Sequence, residues 1–281
     1  MIKEAEKLCL SGLDVNSQLY GQVLGDLGEL YHQRDAFSDA EVCYQKALKL
    51  HQDNKDVYEQ GNSYLSLGYL YLRQGKLNEA SALYQSAIQC HQEVNATLKL
   101  GSDYKGLGQI YMQQDRPIEA EAAFQQALNF HVTENSLLGQ AHVYSSLVHL
   151  HLRLNKLEDA RAAGEKALKL YKATNYTTGQ GDIYSLFAII YLCQGKLNEA
   201  ESPLKTALEL YTMTKNAWGL GEAFGSLGYI YKMRGQLHDA KEVYEKAMDF
   251  HRKAQNCVGE KQIGESLNSV ITQIKEGGSM G

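Results

Sequence analysis

Nine histidines are the side chains in this chain best suited to acid–base or metal chemistry, and their spacing decides what they can do. His142 and His149 are seven residues apart and share a helical face. Metal ligands on one helix usually sit three or four apart, however, and no carboxylate or cysteine completes a set around them. His51, His91, His131 and His251 fall in one register, which Tyr171 and Tyr211 occupy in two other copies. A polar-tipped aromatic spacer explains that column better than one reaction repeated four times. His32 stands apart from both groups. There is no G-x-G-x-x-G, no phosphate loop, no G-x-S-x-G and no H-E-x-x-H. The five cysteines, at 9, 43, 90, 193 and 257, are odd in number and lack a CxxC spacing, as expected of reduced thiols in a cytoplasmic protein. The expectation is a protein that is not an enzyme, with no catalytic residues, no metal and no cofactor.

Charge and composition narrow the partners. Twenty-eight Lys and Arg against 33 Asp and Glu leave a net charge of −5. Nucleic acid is disfavoured, because it calls for a basic footprint. No apolar run approaches the roughly 20 residues that cross a bilayer, so no membrane role is expected. The opening Met1-Ile-Lys-Glu-Ala has no basic-then-apolar secretory pattern. Asn95-Ala-Thr97 and Asn175-Tyr-Thr177 then read as chance glycosylation triplets. A hydrophobic content of 44% implies a folded chain.

What positions these residues is a repeat of 40. In rows from Gly21, one column reads Leu27, Leu67, Leu107, Leu147, Phe187 and Leu227. Four places on stand Tyr31, Tyr71, Tyr111, His151, Tyr191 and Tyr231, and alanine recurs at 40, 80, 120, 160, 200 and 240 and again at 47, 87, 127, 167, 207 and 247. Such self-similarity belongs to units that cannot bury their own apolar faces and must stack. Residues 61–100 show one copy clearly. Tyr64, Leu67, Gly68 and Tyr71 share a helical face, and Leu77, Ala80, Tyr84, Ala87 and Ile88 form the face of a second helix. Between them Gly75 offers a positive φ, in a column that also holds Asp35, Asp115, Asn155, Gly195 and Gly235, residues that tolerate such a turn. Gly28, Gly68, Gly108 and Gly228 recur inside first helices at about 1 kcal/mol each, which implies a close-packing reason.

Two copies deviate. The fourth carries Val148 for glycine, His151 for tyrosine and Gly164 for an aromatic ring. The fifth carries Phe187, Ala188, Leu204 and a mid-helix Pro203, which is expected to kink its helix. Phe187 is placed to fill the room beside Gly164. The ends fit a single domain over residues 1–275, with about six repeats from 21 to 259. Residues 1–10 and 259–275 are expected as partial capping helices, and 276–281 as a disordered tail.

The pattern Tyr64…Leu67-Gly68…Tyr71…Ala80…Tyr84…Ala87 resembles the tetratricopeptide repeat, over most of the chain. The 40-residue unit is similar to that of Pins/LGN-type scaffolds, although the column before the Leu-Gly pair (Asp26, Ser66, Gly106, Ser146, Leu186, Ser226) lacks their asparagine, so the scaffold carries over and their ligand class does not. The resemblance implies an all-α, right-handed α-solenoid whose concave wall is lined by first helices. On that wall it places Asn62, Leu65, Tyr69, Leu72 and Arg73 from the second copy and Lys105, Gln109 and Met112 from the third. The fourth adds His142, His149 and Arg153, the fifth Asp182 and Ile189, and the sixth Glu222, Tyr229 and Lys232. Apolar residues kept at these positions, with Arg73, Lys105 and Arg153 on one stretch and Asp182 and Glu222 on the next, point to a protein or peptide ligand of mixed charge. The function expected is a non-catalytic scaffold that binds a peptide or helix of a partner. The alternatives are a self-association module, pairing the chain with a second copy, and a regulatory segment of a larger signalling protein.

Overall fold

A computed structural model describes residues 18–34 and 36–278, and these form thirteen α-helices with no strand among them. In order they are α1 (Gln18–His32), α2 (Phe37–Asp53), α3 (Val57–Arg73), α4 (Leu77–Glu93), α5 (Thr97–Gln113), α6 (Pro117–Thr133), α7 (Leu137–Arg153), α8 (Leu157–Ala173), α9 (Thr177–Cys193), α10 (Leu197–Thr214), α11 (Ala217–Met233), α12 (Leu237–Lys253) and α13 (Cys257–Gly278). They group into two compact units that divide between Ser146 and Leu147, within α7. Each unit is a stack of helical hairpins. The proposed capping helix at 1–10, Cys9 and Asp35 lie outside the described residues. At the other end α13 runs to Gly278, past the partial capping helix expected at 259–275 and into the stretch expected as a disordered tail.

Most helices span 17 residues and are followed by a three-residue turn whose middle residue is left-handed. After α3, the N–H of Gly75 donates to Leu72 O at 3.0 Å and that of Lys76 to Tyr71 O at 2.9 Å, with φ +74° at Gly75. This is the Schellman arrangement, which satisfies the last carbonyls of the helix. The expected turn column takes it at Gly75, Asp115, Asn155, Gly195 and Gly235. A second column, Lys55, Asn95, Asn135, Asn175, Lys215 and Gln255, does the same between hairpins.

Small residues seat rings. A Cβ placed on Gly68 would lie 2.8 Å from the Tyr84 ring, and one on Gly108 2.6 Å from Phe124, so each glycine is the floor under an aromatic from its own second helix. Ala80, Ala87, Ala120, Ala127, Ala200 and Ala207 are fully buried. The histidine column is structural too. His131 is buried between Gly101 of its own hairpin and Gly139 of α7, and His51 and His91 press on Gly21 and Gly61.

The deepest first-helix positions differ from those the periodicity singles out. Leu70, Ile110, Leu150, Ile190 and Ile230 are at most 2% exposed, whereas Tyr64 and Tyr71 are only half-buried. A first helix is covered on more than one side: Leu70 packs with Leu27, Tyr31 and Tyr44 of the preceding hairpin. Tyr71 stands at the edge, and its hydroxyl donates to Glu41 at 2.6 Å, which with partial burial pushes its pKa up to about 12.

In the second unit Phe187 does turn onto Gly164, where a Cβ would lie 2.6 Å from Cε1 of its ring. Pro203 does not interrupt its helix: α10 is continuous from Leu197 to Thr214, one residue longer than its neighbours. The proline removes one intrahelical donor, and buried Leu204 and Ala200 on either side hold the helix together.

Candidate functional site: the first-helix walls

Each first helix presents the same graded face. The column Tyr69, Gln109, His149, Ile189 and Tyr229 is exposed throughout, with Tyr69 at 46%, Ile189 at 37% and Tyr229 at 45%. Arg73, Gln113, Arg153, Cys193 and Met233 form a second exposed column. Leu65, Leu72, Met112, His142, Asp182 and Lys232 are half-buried. Of these, Leu65 and Leu72 also pack against the core around Tyr84 and Leu107, so part of their surface is already used.

In the first unit the wall changes charge along its length. Between α1 and α3 a cavity of about 300 Å³ is lined by Gln22, Glu29, Glu59 and Asn62, among others. Glu29 accepts from the Tyr44 hydroxyl at 3.2 Å, and Asn62 Nδ2 donates to Glu59 at 3.1 Å. Tyr69 leans on the His32 ring, with centroids 5.0 Å apart. Further on, Lys105 makes no hydrogen bond or ion pair among the described residues, and loss of solvent lowers its pKa. The imidazole of His142 is held below its ordinary value first by desolvation, then by the charges of Lys105 and His131. Basic groups that keep accessible surface yet are partly desolvated mark a wall with protein on several sides, where an incoming carboxylate would meet little competing water.

The second unit has a different set. His149 is accessible, and desolvation lowers its pKa as well. Asp182 accepts from the Tyr211 hydroxyl at 2.8 Å, and burial raises its pKa more than that bond lowers it. Glu222 lies 3.9 Å from His251 Nε2, and Lys232 Nζ donates to Ser269 Oγ at 3.0 Å. Asp182 and Lys232 are thus pinned by their own chain, whereas Ile189 and Tyr229 present apolar surface. Among the described residues no cluster of three His, Cys, Asp or Glu side chains comes together, and no helix is long and apolar enough to cross a membrane.

One recurrent surface escaped the sequence reading. Tyr58, Leu98 and Leu138 in the first unit, and Trp218 and Val258 in the second, stand one residue after the start of their helices and are 37–68% exposed. Their signal is the same letter class at one register, next to the turns between hairpins and outside the wall columns.

Comparison with known proteins agrees with this architecture. Residues 27–219 match the model of the MalT-like TPR region, and residues 221–254 match a tetratricopeptide repeat. No match is found among curated proteins. Among solved structures the chain is similar to BtubC (BKLC) from P. vanneervenii, with 20% identity, a TM-score of 0.64, and 76% of this chain and 88% of that one covered. It is similar to the apo form of RapI at 11% identity, TM-score 0.67, with 92% and 99% covered. It is also similar to the Cut9-Hcn1 hetero-tetramer of the APC/C at 12% identity and TM-score 0.67, covering 96% of this chain and 45% of that one. At these identities the likeness is one of fold. With more than half its length matched by the family model, the chain belongs to the MalT-like TPR region family of tetratricopeptide-repeat proteins.

Proposed function

We propose that this tetratricopeptide-repeat scaffold binds a peptide or helix of a partner protein along its first-helix walls, without catalysing a reaction. The observation that carries the reading is the exposed column Tyr69, Ile189 and Tyr229. Large apolar side chains are kept in contact with water at one register of three first helices, one residue away from positions that are at most 2% exposed. Exposed apolar surface flanked by polar groups is the usual composition of a contact site. Arg73, Lys105 and Arg153 supply a basic component, and Glu29, Glu59 and Glu222 an acidic one, so a ligand of mixed charge suits it. The experiment is affinity capture with wild type and a Tyr69→Ala/Tyr229→Ala double variant, both checked for helical content. Loss of partners by the folded double variant is expected. Retention of every partner would rule the walls out.

A further inference from the structure

Gly164, Phe187 and Pro203, three departures from the repeat that the wall does not use, meet at one place in the second unit. The column of Gly164 otherwise holds Tyr44, Tyr84, Phe124, Leu204 and Tyr244. With no side chain there, the Phe187 ring turns inward onto Gly164. Beside it lies a cavity of about 240 Å³ whose walls include Tyr184, Phe187, Tyr191 and Pro203, over the buried Ile190. Tyr184 and Phe187 stand edge to face, with centroids 6.4 Å apart and planes at 80°. The rim is polar: Gln194, Ser202, Thr206 and the exposed Arg161–Glu165 pair, which is 3.1 Å apart.

At the equivalent gap one repeat on, between α10 and α12, Arg234 at the end of α11 bridges to α10. There Arg234 donates to Glu201 at 2.6 Å, to Asn198 at 2.9 Å and to Leu197 O at 3.2 Å, and half of the lining residues are charged. At the matching positions between α8 and α10 stand Gln194, Arg161 and Glu158, and no such bridge crosses the gap among the described residues. One gap is therefore a wider cavity, of about 520 Å³, lined by its own guanidinium and carboxylates. The other is an aromatic-walled cavity of single-ring size, below the roughly 300–1,000 Å³ of drug-sized sites.

We infer that this cavity between α8 and α10 is a binding site for one tyrosine-like aromatic ring presented by a partner polypeptide. Ring edges and faces on three sides favour another ring over an aliphatic group of equal size. The amide and hydroxyls of Gln194, Ser202 and Thr206 at the rim suit a phenolic hydroxyl. The site is separate from the first-helix walls and stands or falls without them.

The test is a backbone-amide NMR titration of the whole chain with p-cresol, the isolated tyrosine side chain, and with 4-methylcyclohexanol as the non-aromatic control. Saturable shifts are expected around residues 184–194 and 202–206, with about tenfold weaker binding of the control. A Gly164→Tyr/Phe187→Leu variant restores the pairing of Tyr84 with Leu107 and should lose p-cresol binding, while Tyr69→Ala/Tyr229→Ala should keep it. Should the first variant fail to fold, Ser202→Trp at the exposed rim serves as the plug. Absence of saturable shifts in wild type, equal binding of the control, or undiminished binding in a folded plugged variant overturns the assignment.

Discussion

His91 Nδ1 lies 2.6 Å from Asp103 Oδ2, and neither side chain has any exposed surface. His91 Nε2 and Asp103 Oδ1 make no hydrogen bond among the described residues. Burial raises the Asp103 pKa, and the hydrogen bond and charge of His91 only partly offset it. The next copy has His131 with Val143 at the same two positions. Asp103→Val should therefore leave stability within about 1 kcal/mol of wild type or improve it, since a buried charged pair is often no better than apolar packing. Asp103→Ala, which strips His91 and adds a void, should cost about 1–3 kcal/mol. The sign with pH is fixed by the raised carboxyl: its contribution is fully present below the unfolded pKa near 3.8 and lost as pH rises through the folded value. The advantage of Asp103→Val should grow as pH rises from about 4. Urea denaturation at several pH values checks both; a constant or shrinking difference contradicts the pair's assignment.

Glycines under rings should behave unlike glycines facing open space. A Cβ on Gly101 would lie 2.6 Å from the buried His131 ring, whereas one on Gly264 would meet nothing within 4 Å. Gly264→Ala should gain up to about 1 kcal/mol from helix propensity. Gly101→Ala should lose about 1–3 kcal/mol because the ring has nowhere to go. Paired denaturation curves decide it, and equal effects would remove the packing argument.

His131 predicts an acid sensitivity. Burial first, and the Lys105 charge second, hold its pKa below the imidazole value of 6.5. A depressed folded pKa means that the unfolded chain takes up more protons, so this stability is present above 6.5 and lost as pH falls through the folded value. His131→Tyr, the residue type at 171 and 211, removes the titration. Its melting temperature should fall less than that of wild type between about pH 7 and 5. A parallel fall in both proteins contradicts the assignment.

Two turns carry avoidable strain. Lys55 and Lys215 sit at φ +56° and +54°, in a column where Asn95, Asn135 and Asn175 adopt the same conformation. Asparagine tolerates the left-handed region better than lysine. Lys55→Asn and Lys215→Asn should each raise stability by several tenths to about 1 kcal/mol. Calorimetry on the single variants is sufficient, and a loss in both would show that the lysine side chains matter more than the backbone.

Much of this architecture is legible in the letters because a repeat reports each position several times. The alanine columns at 80 and 87, the glycine seats at 68 and 108 and the left-handed turn at Gly75 all recur where the structure uses them. The deep burial of Leu70 and Ile110 was not legible from one helical face, because it comes from the neighbouring hairpin. Asp103 is one carboxylate in a column of Ser63, Val143, Ile183 and Ala223, and only its burial against His91 gives it meaning. Pro203 leaves its helix unbroken because packed neighbours outweigh one lost hydrogen bond. On the wall, spacing alone could not separate the exposed Tyr69 and Tyr229 from Leu65 and Leu72, whose surface the core partly takes.

Site-resolved photocrosslinking tests the central claim most directly. A benzophenone amino acid placed at Tyr69, Ile189 or Tyr229 samples the walls, and one at Ala82 or Ala122 samples exposed positions on the second helices. With partner-containing extract, the wall positions should give a crosslinked product that an excess of unlabelled protein competes away, and the second-helix positions should not. Competed crosslinks from Ala82 or Ala122 with none from Tyr69, Ile189 or Tyr229 would contradict the account.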